Sequence, residues 1–349
     1  MKNQTILNEI TAPLLYWYQG AARDLPWRRD PTPYHVWISE IMLQQTRVEA
    51  VKGYYARFLE AFPTVETLAA ADDDALNKVW QGLGYYSRAR NLKKAAIALV
   101  EHHNGCLPAD HKALLSLPGI GAYTAGAIAS IAFGLPTPAV DGNVLRVVTR
   151  LCADDSDIMK QTSKDDVTAA LAAVYPQTPE EAAMMTQALM ELGATVCVPN
   201  GVPHCAECPL ASVCMAHRAN EELRYPNKPP KKGRTITDKT VFLLRCGDRY
   251  AIRRRPPTGL LSGLWEFPSV DAVLEESEAA AYLQEQGFVP ETLARIPDAK
   301  HIFTHIEWHM RGYAVCVKEE LPPFVWADVS EIRDIYSIPS AFKAFLARL

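Results

Sequence analysis

Residues 111–150 read HKALLSLPGIGAYTAGAIASIAFGLPTPAVDGNVLRVVTR. The first part predicts a short helix, a tight hairpin Leu117-Pro118-Gly119-Ile120-Gly121, and a helix of small residues (Ala122, Ala125, Gly126, Ala129) on which another backbone can lie close. Gly119 and Gly121 let the chain turn sharply and turn backbone N–H groups outward, toward an anion such as a nucleic-acid phosphate. At the other end, Asp141-Gly142-Asn143 precedes the apolar pattern Val144, Leu145, Val147, Val148, Leu151, as a helix N-cap does. Taken alone, such a stretch more often marks a plain loop between core helices with an ordinary cap. Its reading depends on the rest of the chain.

The 349 residues suggest two or three domains, and 48% hydrophobic with 22% charged residues is ordinary globular composition. No apolar run reaches membrane-spanning length and the polar start MKNQTILNEI is no signal peptide, so a cytoplasmic protein is expected. The formal net charge of −4 argues against nucleic-acid binding by bulk charge. Any DNA contact must come from local basic patches. Eight cysteines without a secretory signal are not read as disulfides.

A helix is expected over 6–18, then Leu25-Pro26-Trp27-Arg28-Arg29-Asp30-Pro31, where Trp27 beside two arginines suits base stacking and a phosphate grip, or is an exposed basic turn. In the apolar run 34–43, Glu40 is the one carboxylate; it either faces solvent or sits desolvated in a pocket. Thr46-Arg47-Val48-Glu49 has capping-box spacing for a helix to about Phe62, leaving Gln44 and Gln45 in a break where amides can probe base edges. After an Asp72-Asp73-Asp74 cap, Gly82-Leu83-Gly84-Tyr85-Tyr86 puts Leu83 and Tyr85 on a turn before Arg88, Arg90, Lys93 and Lys94. These side chains suit a wedge into a duplex or a plug for the protein's own core.

Cys197, Cys205, Cys208 and Cys214 are spaced C-x7-C-x2-C-x5-C, which suits a tetrahedral thiolate cage for zinc or for an iron–sulfur cluster. A Pro- and Lys-rich linker follows. Beyond it, 240–246 and 249–255 read as a hairpin around Gly247-Asp248, then come a helix over 271–286, two strands around 301–317 and a closing helix: a separate α+β domain.

The first 225 or so residues resemble the helix-hairpin-helix DNA glycosylase superfamily, specifically the MutY-type adenine DNA glycosylases. The resemblance lies in LPWRRDPTPYHVWISEIMLQQTRV, WQGLGYYSRARNLKKAA, LPGIGAYTAGAIASIA, VDGNVLRVVTRL and the four-cysteine loop. The C-terminal part is similar, more weakly, to the family's MutT-like domain through Leu264-Trp265-Glu266-Phe267-Pro268 and Phe303-Thr304-His305. The fold class implied is a mainly α helix-hairpin-helix glycosylase domain with an iron–sulfur loop, plus an α+β Nudix/MutT-like domain. The implied divisions are a catalytic domain over 1–225 (a six-helix barrel at about 30–137, with an iron–sulfur subdomain from 1–29 plus 138–225), a linker over 226–235 and an 8-oxoguanine recognition domain over 236–349.

The resemblance implies excision of adenine mispaired with 8-oxoguanine or G in double-stranded DNA, by a cytoplasmic, nucleoid-associated bacterial monomer. Leaving adenine needs a proton, and the developing oxocarbenium needs a negative charge. Glu40, in an apolar stretch, is expected as the protonated acid and later base for water; Asp141, at a helix N-terminus, as the anion at the sugar. Asn143 matches the position that helps hold the reacting centre. Bifunctional relatives such as endonuclease III carry a lysine just after the hairpin, where this chain has Tyr123, which cannot form an imine. A monofunctional enzyme is expected. By the same correspondence Gln45, Leu83 and Tyr85 fill the stack around the oxidised guanine, Arg28 and Gln187 line the adenine pocket, and Phe303-Thr304-His305 reads 8-oxoguanine. Gln44, Thr46, Gly119, Gly121 and Trp27 complete the expected DNA-contacting set, and the four cysteines hold a [4Fe-4S] cluster.

Three departures bear on these expectations. The first cysteine gap is seven residues against the family's usual six, and Thr304 stands where serine is common. Ala280-Ala281 and Gln284-Glu285 occupy the place of a Nudix metal box, so no catalytic magnesium is expected there. The alternatives are a sibling glycosylase removing thymine or an oxidised pyrimidine, and a non-catalytic iron–sulfur DNA sensor.

Overall fold

The hairpin joins the helices His111–Leu115 and Ala122–Ala127 and turns at Gly119, φ +77°, where a Cβ would meet the Asn91 Cβ at 2.6 Å. Only glycine fits that turn. The small-residue face of the second helix is used at Gly126, where a Cβ would come within 2.4 Å of the Pro138 carbonyl oxygen. A π-turn over Ile128–Ala132 follows, and Ser130 Oγ lies 2.6 Å from Thr186 Oγ1 on the helix Pro179–Thr195. The helix Gly142–Cys152 starts at Asp141, whose carboxylate accepts from the backbone N–H groups of Asn143 and Val144 at 2.9 and 2.8 Å. Its apolar stripe (Val144, Val147, Val148, Leu151) shares a core with Leu14, Met185 and Leu189.

The computed structural model describes residues 1–230 and 233–349. The chain forms two units: Met1–Ala70 with Asn91–Pro230, and Ala71–Arg90 with the described part of Lys231–Leu349. The linker expected over 226–235 includes Lys231 and Lys232, which lie outside the described residues. The expected barrel over about 30–137 kept 71–90 with the first unit, whereas these residues join the second through paired polar groups. Asp74 accepts from Arg254 Nη2 at 2.7 Å and Trp265 Nε1 at 3.1 Å, Gln81 Nε2 donates to the Ile338 carbonyl at 2.8 Å, and Arg90 Nη1 donates to the Ser262 carbonyl at 3.0 Å.

Two local expectations in the first unit are corrected. Residues 6–18 do not form one helix: a 3₁₀ segment Gln4–Glu9 precedes the helix Thr11–Ala21. Pro13 has no N–H to bond the Glu9 carbonyl, so it belongs to a first turn. Nor does Thr46 cap the next helix. That helix, Val48–Ala61, starts after Arg47 without a side-chain cap, because Gln45 at φ +58° turns the chain and leaves Thr46 Oγ1 against the Gln44 carbonyl at 3.4 Å.

The second unit carries a seven-stranded sheet with path β3-β2-β1-β6-β5. Its strands are β1 (Thr235–Cys246), β2 (Arg249–Arg254), β3 (Trp265–Glu266), β4 (Ser269–Val270), β5 (Pro290–Ile302), β6 (Ile306–Val317) and β7 (Val325–Ala327). The hairpin around Gly247-Asp248 forms with Cys246 opposite Arg249, while β1 and β6 run parallel with Val241 opposite Gly312. Alternation along β1 sends Val241 and Leu243 to one core and Phe242 and Leu244 to the other, so the sheet is buried on both faces. The helix expected over 271–286 starts at Glu276, behind a Glu275/Glu278 capping box. No helix among the described residues is long and apolar enough to cross a membrane.

Replacing Gly126 by Ala forces a Cβ onto a backbone oxygen and should destabilise the first unit by about 1–3 kcal/mol. Gly20, in the helix Thr11–Ala21, has open space around it. Gly20→Ala should stabilise by about 0.5–1 kcal/mol. Thermal denaturation of the two variants checks both signs.

Candidate active site

A cleft of about 750 Å³ opens beside the hairpin in the first unit, with Glu40, Tyr123, Asp141, Asn143, Gln187 and Glu191 in its walls. Glu40 comes from the helix Pro33–Leu43, which is buried almost all round and capped by Thr32. The desolvated alternative of the two readings is therefore the one realised: Glu40 is 5% exposed. Tyr123, first turn of the hairpin's second helix, donates its hydroxyl proton to Glu40 Oε2 at 2.5 Å. Burial pushes the Glu40 carboxyl up to about 7; the Tyr123 hydrogen bond opposes that rise, and the nearby Asp141 charge adds to it. Burial also holds the Tyr123 phenol well above its ordinary range, so it stays a donor.

Asp141 is fixed by three donors: the two backbone N–H groups of its cap and Asn143 Nδ2 at 2.9 Å. Asp141 is expected as the anion at a helix N-terminus, and two opposing effects act on its carboxyl there. Burial raises its pKa, and the hydrogen bonds offset that rise only in part. Asn143 is held in turn by Arg146, which donates from Nη2 to Asn143 Oδ1 at 2.8 Å and to the Gly193 carbonyl at 2.6 Å, and from Nε to the Cys197 carbonyl at 2.7 Å. One buried guanidinium thus ties Asn143 at the cleft to the backbone of Cys197, the first of the four spaced cysteines.

The wall opposite is also charged. Glu191, with no exposed side-chain surface, takes Arg23 Nε on Oε1 at 2.6 Å and Arg28 Nη2 on Oε2 at 2.8 Å. Burial raises its pKa, but these hydrogen bonds win and leave it below the ordinary range. Arg28 therefore points inward as a wall of the cleft and not outward at a phosphate, and Arg29 pairs with Asp24 at 2.5 Å. Trp27 is buried edge-on against Tyr55, with its ring 5.6 Å away, and also reaches the cleft. At the cleft mouth Gln44 Nε2 donates to Thr124 Oγ1 at 3.3 Å, Gln45 is exposed, and Thr46, Gly119 and Gly121 are at the rim.

In the second unit a cavity of about 460 Å³ is walled by Tyr85, Leu260, Phe303, Thr304 and His305. Tyr85 is 45% exposed at φ +46°, with its hydroxyl 2.5 Å from Thr304 Oγ1, and Phe303 packs edge-on against Trp308. Leu83, on the turn before Tyr85, has its side chain buried.

Cys197, Cys205, Cys208 and Cys214 are free thiols around one small cavity that Arg150, His217 and Glu222 also line. Arg150 Nη1 lies 3.2 Å from Cys197 Sγ, and burial pushes the Cys205 and Cys208 thiols up to about 11 and about 12. Four sulfurs drawn together, one buried and three partly buried, beside the Arg150 guanidinium suit an anionic thiolate–metal group, which would supply the charge that favours thiolates.

Arg23, Glu191 and Arg146 were not singled out from sequence. Glu191 had a signal: it is a lone carboxylate in the apolar run 188–192, one turn after Gln187. Arg146 had none, since two of its partners, the Gly193 and Cys197 carbonyls, are 47 and 51 residues away.

Residues 38–177 match the model of HhH-GPD superfamily base excision DNA repair proteins, and 240–348 match a NUDIX domain. The helical first unit is thus that of a DNA N-glycosylase. Its likeness to endonuclease III in a non-covalent DNA complex has a TM-score of 0.53 at 26% identity, covering 63% of this chain and 99% of that one. The human adenine DNA glycosylase is 36% identical over 90% of this chain and 68% of its own, and that of Buchnera aphidicola (strain Bp) is 33% identical over 90% and 86%. The chain belongs to the adenine DNA glycosylase family.

Arg146→Gln leaves the Gly193 and Cys197 carbonyls and the Asn143 amide without their donor. The expected result is a loss of about 1–3 kcal/mol in stability by denaturant titration, with base release slowed more than duplex binding is weakened.

Proposed function

We propose that this protein removes adenine mispaired with 8-oxoguanine, or with G, from double-stranded DNA by hydrolysis and leaves an intact strand with an abasic site. The observation that carries the reading is that Glu40, buried and hydrogen-bonded by Tyr123, lines the same cleft as the hydrogen-bonded Asp141.

The extrahelical base enters the cleft at a cost of roughly a few kcal/mol for unstacking. Tyr123 donates to Oε2, so the acidic proton of Glu40 sits on Oε1. That proton passes to a ring nitrogen of adenine while the N-glycosidic bond breaks and its electron pair leaves with the base. Asp141, held rigidly by its cap and by Asn143, stabilises the cationic sugar. Water then adds at the sugar carbon and gives its proton to Glu40, restoring the acid. Tyr123, kept protonated and without an amine, offers no nucleophile for a Schiff base. Strand cleavage by β-elimination therefore has no starting point.

Arg23, Arg28, Gln187 and Glu191 form the polar wall against the base, and Phe303, Thr304 and His305 with Tyr85 form the surface for 8-oxoguanine. Cys197, Cys205, Cys208 and Cys214 would hold a [4Fe-4S] cluster, which would supply structural cross-linking of the 197–214 loop.

Duplexes carrying A opposite 8-oxoguanine, A opposite G and T opposite G discriminate the readings. Free adenine, with strand breaks only after alkali, is expected. Released thymine, or tight binding with no base released, contradicts it. Glu40→Gln keeps the Tyr123 contact but has no proton to give; it should slow adenine release by more than about 100-fold while leaving duplex affinity largely intact. In the wild type the raised pKa keeps Glu40 protonated below about 7. Single-turnover base release should therefore fall as pH rises through that value, by about tenfold per unit beyond it.

A further inference from the structure

Tyr18 lies outside the cleft, on the helix Thr11–Ala21, and is buried. Its hydroxyl donates to Gln187 Oε1 at 3.2 Å, and its ring carries the Arg28 guanidinium 5.6 Å from the centroid. Gln187 and Arg28 both line the cleft, and Arg28 also donates from Nη1 to the Arg23 carbonyl at 3.1 Å. One side chain thus touches two polar walls of the base pocket from behind without reaching the pocket itself.

The geometry points to Tyr18 as the positioning residue that fixes which end of the Gln187 amide meets the extrahelical base. A carboxamide can turn over at little cost, exchanging an acceptor for a pair of donors. With Oε1 held by the phenol, and one Nε2 proton directed at the Ala183 carbonyl at 3.4 Å, the remaining Nε2 proton faces the cleft. Gln187 then reads the base as a donor and requires a ring nitrogen acceptor opposite, which adenine offers. Burial raises the Tyr18 phenol pKa, so it remains a donor across the working pH range. Without this hydroxyl only the long contact to the Ala183 carbonyl holds the amide, so Oε1 is presented more often and faces that acceptor with a repulsive lone pair. This inference rests on the adenine-pocket reading above.

Tyr18→Phe keeps the ring under Arg28 and removes only the hydroxyl. The test measures dissociation constants of the full-length protein for a duplex bearing uncleavable 2′-fluoro-2′-deoxyadenosine opposite 8-oxoguanine, and for the same duplex with a tetrahydrofuran abasic analogue at that position. Tyr18→Phe should bind the adenine duplex roughly three- to tenfold more weakly, the order expected of one neutral hydrogen bond, and the abasic duplex unchanged. In a Gln187→Ala background the same substitution should cost nothing further. Equal loss on both duplexes, or full loss in the Gln187→Ala background, would show a merely structural hydroxyl and overturn the role. Failure of the wild type to bind the adenine duplex would instead overturn the pocket reading, and this inference with it.

Discussion

The hydrogen bond from Tyr123 to Glu40 joins two side chains that the fold has taken out of water, and the chemistry of the cleft depends on how that contact is balanced. A buried carboxylate is costly unless it is strongly paired. Here the partner is a phenol, which stabilises the anion only partly, and the Asp141 charge works against ionisation. The carboxyl therefore keeps its proton to about 7, where it can serve as an acid and recover as a base. A lysine in place of Tyr123 would ionise Glu40 and supply an amine. The same position therefore decides both the state of the acid and whether the sugar can be attacked by the protein.

The rest of the cleft is built so that this balance is not relaxed. Arg146 satisfies Asn143 and two backbone carbonyls, which fixes Asp141 through Asn143. Arg23 and Arg28 neutralise Glu191, so that a second buried carboxylate stays ionised a short distance along the same helix as Gln187. The three acidic side chains of the cleft are thus held by three different kinds of partner: a phenol for Glu40, backbone amides and an asparagine for Asp141, two guanidinium groups for Glu191. Gly126 brings the hairpin helix onto the 138–139 backbone and so sets where the Asp141 cap begins.

Features that depend on local spacing were legible in the sequence: the Pro118-Gly119 turn, the Asp141 cap, the β1–β2 hairpin and the cysteine set. Glu40 was legible as an exception, the one carboxylate in an apolar run. Groups paired across long separations were not. Arg146 and Glu191 find partners 47 to 168 residues away, and nothing in a charge pattern announces such a contact. The same holds for the parallel β1–β6 pairing and for the association of 71–90 with the C-terminal sheet. The Asp141 cap is recognisable in sequence, whereas the burial that raises its pKa against those cap hydrogen bonds comes from distant chain.

The protonation state of Glu40 is the claim on which the account stands. Isotope-edited infrared difference spectra of the wild type against Glu40→Gln, recorded across pH, follow the carboxylic C=O stretch of that one group. The expected result is a band that persists from acid pH and titrates away with a midpoint near 7. A midpoint near 4.5, the ordinary glutamate value, would mean that Glu40 is an anion at working pH and would contradict its role as the proton donor.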